Sequence, residues 1–435
     1  MGSRRLGVVC AAIAALLFAA VPPATAQESQ HHQRVDLSKI VGNLGKAQPK
    51  PPVPVRPRQA TSATPDCETV NANLADYAKQ GVQKVLCVSS TAESSAPQPV
   101  PRVGPAATNV WCSPGAPNVW YVTRTELCLH DGYQRFMIIE VPTGVVLGTA
   151  VLAIDHEVTL SATNLDIEDS TAITLVSSSG ELRSPVATLA SRCGTPCGTV
   201  DNVGFTRERF TEWGQTHDGF MLYRASPFNR ADFFGVTYTL TVETPGAVPP
   251  QATGEWSIPS DMFRCDDLVS NFAGCVIPFF KPELQLTTSV HKEAAVGILV
   301  GQLELPDGFG RTQPLTRLAD DAAAEANRQR ICDSTFRPRT DVTDDSCDEY
   351  AFAKTRQSGG YLGLSGKDCA EVIPRYDSQT GDFWYEPIRM LGTERCLQAH
   401  VPLPMNSRVG GDLGALTNTE RLLDNDPYYV GVYAF

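Results

Sequence analysis

The sequence predicts an α+β C-terminal domain preceded by a mostly antiparallel, sandwich-like β module, the whole stapled by disulfides. Three observations carry this. Between residues 110 and 250, short runs rich in branched and aromatic residues recur, as in "RFMIIEV", "EVTLSATNL", "TAITLVSSSG" and "VTYTLTVE", each bounded by Gly, Pro or Asn. In the last of these, Val236, Tyr238, Leu240 and Val242 alternate with mostly threonines, the pattern of a strand with one solvated side. From residue 314, "PLTRLADDAAAEANRQRIC" reads as a helix, with Asp320 and Asp321 near its start and Arg328 and Arg330 near its end, matching the helix dipole.

The chain opens with Arg4 and Arg5, an apolar run and "PPATA". This is the pattern of a secretory signal peptide cleaved after Ala26, and the run is shorter than the roughly 20 residues that span a bilayer. The expectation is therefore a secreted, extracellular protein with no stable membrane association after cleavage. Residues 27–109 read as a Pro- and Ser-rich linker carrying a short Cys-closed helical segment from Cys67 to Cys87. Residues 110–250 form the β-rich module, and 251–313 a bridge packed with the last domain, in which "LQLTTSV" and "AVGILVGQLEL" look strand-like. The C-terminal domain spans 314–435.

Thirteen cysteines become twelve once Cys10 leaves with the signal, and an even count in an exported chain points to a disulfide framework. Local spacing suggests Cys67 with Cys87, Cys112 with Cys128, Cys193 with Cys197, Cys265 with Cys275, Cys332 with Cys347, and Cys369 with Cys396. A formal net charge of −12 disfavours tight nonspecific binding to nucleic acid or an anionic membrane. It leaves room for an enzyme that meets phosphates through a metal.

The candidate chemistry lies in "DDSCDEYAFAKTRQSGG", from Asp344 to Gly360. Two readings compete: a solvated acidic loop, or a cation site built on Asp348 and Glu349. Adjacent carboxylates on a strand face opposite sides, so one ion reaches both only if the chain turns there. Magnesium is commonly held by one or two carboxylates plus substrate phosphate, which suits so sparse a site. Downstream, "CLQAHVPLPMNSRVGGDLG" supplies His400, able to accept a proton from water, Asn406, able to complete a cation's shell, Arg408, able to clamp phosphate, and Gly410 and Gly411. His400, flanked by Val401 and Pro402, reads equally well as a core or surface histidine. His156 reads as a structural or surface residue because "DHEVTLS" lacks the second His of a zinc-peptidase helix, and His130 and His217 do so because they lie beside Asp131 and Asp218 in turn-like "HDG" sequences. Arg328, Arg330, Arg337 and Arg339 are the local candidates for phosphate contact.

The segments "PLTRLADDAAAEANRQRIC", "CDEYAFAKTRQSGG", "HVPLPMNSRVGGDLG" and "RLLDNDPYYVGVY" resemble the NucA/NucB deoxyribonuclease domain in its long secreted actinobacterial form. "FRCDDLVSNFAGCVIP" with His291 resembles the region that often precedes that domain. The resemblance implies a secreted endonuclease that hydrolyses phosphodiester bonds of extracellular DNA with a divalent cation, Mg2+ or Mn2+. It places the family's acidic pair on Asp348 and Glu349, its Asn on Asn406 and its terminal acidic turn on Asp424 and Asp426. In that reading Asp348, Glu349 and Asn406 position the metal, His400 is the general base, and Arg328, Lys354 and Arg408 contact substrate phosphates. Ala351 stands where the family usually has Pro, and Lys354 where it usually has Ser. The competing class is a noncatalytic secreted binding or structural protein with a degenerate nuclease domain; a secreted toxin is a third reading. The β-rich module is a candidate for binding a cell surface or for holding the nuclease inactive.

Overall fold

The computed structural model describes residues 34–38, 44–45, 50–55, 64–89, 111–112, 115–269 and 271–434. The signal segment falls outside the described residues, as does much of the linker, namely residues 27–33, 39–43, 46–49, 56–63 and 90–109. The chain is a mixed α+β protein with several antiparallel sheets, C-terminal helices and six disulfides, which join the same six pairs of cysteines that local spacing suggests.

Two antiparallel sheets build the β module. The larger runs Val53–Val55, Val119–Val122, Glu126–Glu140, Val146–Leu160, Asp166–Gly180, Thr216–Arg224, Gly198–Asp201, with Lys84–Ser89 also paired to Glu126–Glu140. The smaller runs Val203–Arg209, Val186–Cys193, Val236–Glu243, Gln251–Ser257. One core serves both, with Trp120, Phe136, Tyr223, Tyr238 and Trp256 among its buried side chains. Along Val236–Glu243 every second residue is buried, so the alternation in the sequence is the alternation of the sheet.

Four stretches differ from the sequence reading. The first half of the expected bridge belongs to the β module and not to the last domain: Gln251–Ser257 pairs with Val236–Glu243, Phe263–Asp266 pairs with Ala231–Phe234, and Met262, Phe263, Cys275 and Ile277 lie in the module's core. The Cys-closed segment holds two short helices, α1 (Cys67–Ala72) and α2 (Leu74–Lys79), but ends in the strand Lys84–Ser89, whose Val85, Leu86, Cys87 and Val88 are all buried. Burial on both faces erases the alternation that would have announced a strand. Within the linker, Val35–Asp36 and Val53–Val55 are edge strands, the first on the C-terminal sheet and the second on the β module. The apparent strand "AVGILVGQLEL" is the second half of helix α3 (Thr288–Glu304), apolar all round because it is enclosed.

The C-terminal sheet is ordered Val35–Asp36, Phe383–Arg389, Ala370–Tyr376, Leu397–Pro402, Asp345–Tyr350, with one parallel pair, Ala370–Tyr376 beside Leu397–Pro402. Helix α3 lies close on this sheet: a Cβ on Gly301 would sit 2.5 Å from the Tyr350 ring, and one on Gly297 3.2 Å from the Ala399 methyl. Helix α4 (Asp321–Ile331) is capped by Asp320, whose carboxylate accepts from the Ala323 amide at 3.0 Å. Helix α5 (Leu403–Thr419) follows the strand Leu397–Pro402 without a loop and is tied to α3 by His291 and Asp412 at 2.7 Å.

Three buried arginines join the β module to the turn after α5. Arg421 pairs with Asp266 and donates to the carbonyls of Ala162 (2.9 Å) and Phe272 (2.8 Å). Arg124 donates to the Glu420 and Arg421 carbonyls, and Arg264 to the Asp426 carboxylate at 2.6 Å. The two units are thereby welded rather than tethered.

Candidate active site

Asp345–Tyr350 is the edge strand of the C-terminal sheet, paired only with Leu397–Pro402. Opposed residues share a face. Asp348 therefore lies with Ala399 on the α3 side, and Glu349 with Gln398 on the α4 side, where Arg328 approaches Glu349 at 3.5 Å. On an interior strand the two carboxylates would be separated by the sheet. At an edge, a cleft that wraps the rim reaches both.

Such a cleft is present, with a volume of about 630 Å³. The edge strand contributes Ser346, Cys347, Asp348 and Glu349, and the chain beyond it Phe352, Ala353 and Lys354. Helix α5 contributes Asn406, Val409, Gly410, Leu413 and Gly414, while Arg328, Arg317 and Tyr428 close the remaining sides. The Cys332–Cys347 bridge holds the strand immediately before the acidic pair to the end of α4.

Burial dominates the electrostatics. Asp348 is 7 % and Glu349 8 % exposed. Burial, and then the neighbouring Glu349 charge, push the Asp348 carboxyl well above the usual range. Glu349 is pushed up to about 7 by burial, with the Arg328 guanidinium opposing. Among the described residues, the Asp348 carboxylate accepts no hydrogen bond. Asn406 donates through Nδ2 to the Cys347 carbonyl at 3.0 Å and to Ser346 Oγ at 3.2 Å, which fixes its amide and leaves Oδ1 as an acceptor. Two buried carboxylates and an amide group thus line one cleft, and hard divalent cations take oxygen ligands of these kinds.

Of the residues singled out in the sequence, Asp348, Glu349, Asn406, Arg328 and Lys354 line this cleft. Lys354 also pairs with Asp321 at 2.7 Å, and Arg328 with Glu325 at 2.6 Å. Two do not line it. Arg408 is exposed on another side of α5. His400 is 1 % exposed, stacked on Phe336 at 4.4 Å between centroids, and held between Asp345 (2.8 Å) and Glu371 (3.2 Å). Its core reading, one of the two open from sequence, describes its place; the role of general base does not. Asp424 and Asp426 serve the fold, the first pairing with Arg356 at 2.7 Å and the second with Arg264.

Arg317 and Tyr428 were not legible. Arg317 is brought to the cleft beside Thr355, with which it forms a bridge, and Tyr428 by the antiparallel pairing of Leu315–Thr316 with Pro427–Tyr433, in which it stands opposite Leu315, long-range contacts that leave no local signature.

A second donor set lies in the β module. His130, Asp131 and Asp155 offer ligand atoms all within 4.8 Å of one another and can coordinate a metal ion. The imidazole stands between Asp131 (3.1 Å) and Asp155 (2.9 Å), and those hydrogen bonds push its pKa up to about 9. His156 is different: Trp256 donates to its Nε2 at 3.0 Å, so its proton lies on Nδ1, towards Asp169 at 3.1 Å, inside the core.

No helix among the described residues is long and apolar enough to cross a membrane. Comparison of the chain with family models, curated proteins and solved structures finds no match.

Proposed function

We propose that the C-terminal domain is a secreted, metal-dependent deoxyribonuclease of the NucA/NucB type, hydrolysing phosphodiester bonds in the Asp348 cleft. The observation that supports this most is the convergence of the adjacent Asp348 and Glu349 with Asn406, which is distant in sequence, on one cleft with cationic side chains at its sides. Six disulfides fit an oxidising compartment.

Asp348 and Asn406 Oδ1 would hold the cation, Mg2+ or Mn2+, with Glu349 beside them. Bound there, the ion would neutralise charge developing on the scissile phosphate and acidify water. Glu349 replaces His400 as the group that accepts a proton, being in the cleft, where His400 is not. Arg328, Arg317 and Lys354 hold flanking phosphates. Asn406 orients the site through its bond to the Cys347 carbonyl.

The test is DNA cleavage by the purified, oxidised protein with Mg2+ or Mn2+ and with EDTA. Cleavage that requires the cation and is lost in Asp348→Asn supports the reading. Cleavage that survives chelation, or a normal rate in Asp348→Asn, removes it. A second reading, a secreted metal-binding protein without catalysis, is favoured by the His130 donor set in the β module.

A further inference from the structure

We propose that the strand entering the cleft is unpaired, so that the substrate class is single-stranded DNA, and that Gly410 and Gly414 form the face of α5 on which its nucleotide lies. This rests on the phosphodiesterase reading above and deepens it.

Depth is the first argument. With Asp348 and Glu349 less than a tenth exposed, a phosphate must descend to them. A duplex carries its phosphates on the outside of a stiff rod, whereas a cavity of about 630 Å³ is the size that accepts a drug-sized molecule or a nucleotide unit. An unpaired strand can bend one phosphate into such a recess, whereas a duplex must be deformed to do so at an energetic cost.

The second argument is the helix. Gly410, Gly411 and Gly414 each cost α5 about 1 kcal/mol relative to alanine. A Cβ at any of the three would meet nothing within 4 Å, so no neighbour in the protein requires their bareness. Gly410 and Gly414 are one turn apart and both line the cleft; Gly411 does not. Two buried polar groups without hydrogen-bond partners among the described residues line the same space, the Asp348 carboxylate and the Tyr428 hydroxyl. A bare helix face opposite unpartnered polar groups is suited to close approach by a ligand.

The lining chemistry agrees. Phe352, Val409 and Leu413 offer apolar contact to a base face, which a single strand exposes and a duplex keeps stacked inside. Lys354 and Arg317 supply charge for the backbone on either side.

The test uses the full-length chain, a labelled single-stranded oligonucleotide and a hairpin duplex of the same composition. Cleavage is measured in Mn2+ and binding by fluorescence anisotropy in EDTA. Single strand cut at least tenfold faster than duplex is the expected result. Gly414→Leu should lower both cleavage and binding of single strand at least tenfold with an unchanged or raised Tm, while Gly411→Leu leaves both as they were. Duplex cut as fast as single strand, or wild-type behaviour of Gly414→Leu, overturns the proposal while leaving the phosphodiesterase reading intact. If neither substrate is cut but single strand binds and Gly414→Leu abolishes binding, the phosphodiesterase reading falls and the single-strand site stands. If neither is cut nor bound, both fall.

Discussion

The side-chain amide of Asn406 donates to the backbone carbonyl of Cys347 at 3.0 Å, so the first turn of α5 is pinned to the residue that precedes the acidic pair. Asn406→Ala removes that bond and the amide oxygen together. The expected loss is about 100-fold in cleavage rate, or about 3 kcal/mol of transition-state stabilisation. The cost in stability should be only about 1 kcal/mol, the worth of one hydrogen bond. Rates and denaturant melts measured together check the split.

Asp348→Asn should raise the stability of the metal-free protein at pH 8 while abolishing cleavage. The buried carboxylate accepts no hydrogen bond among the described residues, so neutralising it removes a desolvation penalty, a trade of activity for stability. A melt in EDTA beside an activity assay reads both effects.

Stability in EDTA should fall as pH rises. Glu349 titrates at about 7 in the folded protein, above an unfolded glutamate at 4.5. Between those values the folded state binds more protons, so the contribution to stability decreases with pH, by roughly 3 kcal/mol once pH exceeds 7. Asp348 acts in the same direction. Glu349→Gln should flatten this part of the profile, and Mg2+ or Mn2+ should raise Tm more at pH 8 than at pH 5. A Tm difference between wild type and Glu349→Gln that is constant from pH 5 to pH 8 would contradict it.

His400 is held by Asp345 and Glu371 away from the cleft. His400→Gln should therefore lower Tm but keep at least a tenth of the cleavage rate. A 1,000-fold loss in a folded variant would return the residue to the chemistry.

At His130 a metal must displace the proton that Asp131 and Asp155 hold there up to about pH 9. Zn2+ affinity measured by calorimetry should strengthen steadily from pH 6 to pH 9 and vanish in His130→Asn.

Much of this was legible where local pattern and global structure agree. The alternation of Val236 to Val242, the Asp320 cap with its dipole-matched arginines, and the six local cysteine pairs each express a short-range constraint. What was lost was lost to enclosure and to long-range geometry. The second half of helix α3, residues 294–302, is buried all round, so it carries no polar stripe by which 3.6-residue periodicity could be counted. His400 lies beside the cleft strand, yet which face it occupies depends on register with Cys347, a pairing across 53 residues. The acidic pair reaches one cleft because its strand is an edge, which only the sheet order determines.

The central claim, a divalent cation gripped by Asp348 and Asn406, is tested most directly by the anomalous difference density of crystals soaked in Mn2+. A peak within coordination distance of the Asp348 carboxylate and Asn406 Oδ1, lost in Asp348→Asn crystals, is the predicted result. A cleft without density at full soaking, with manganese found only beside His130, would contradict it.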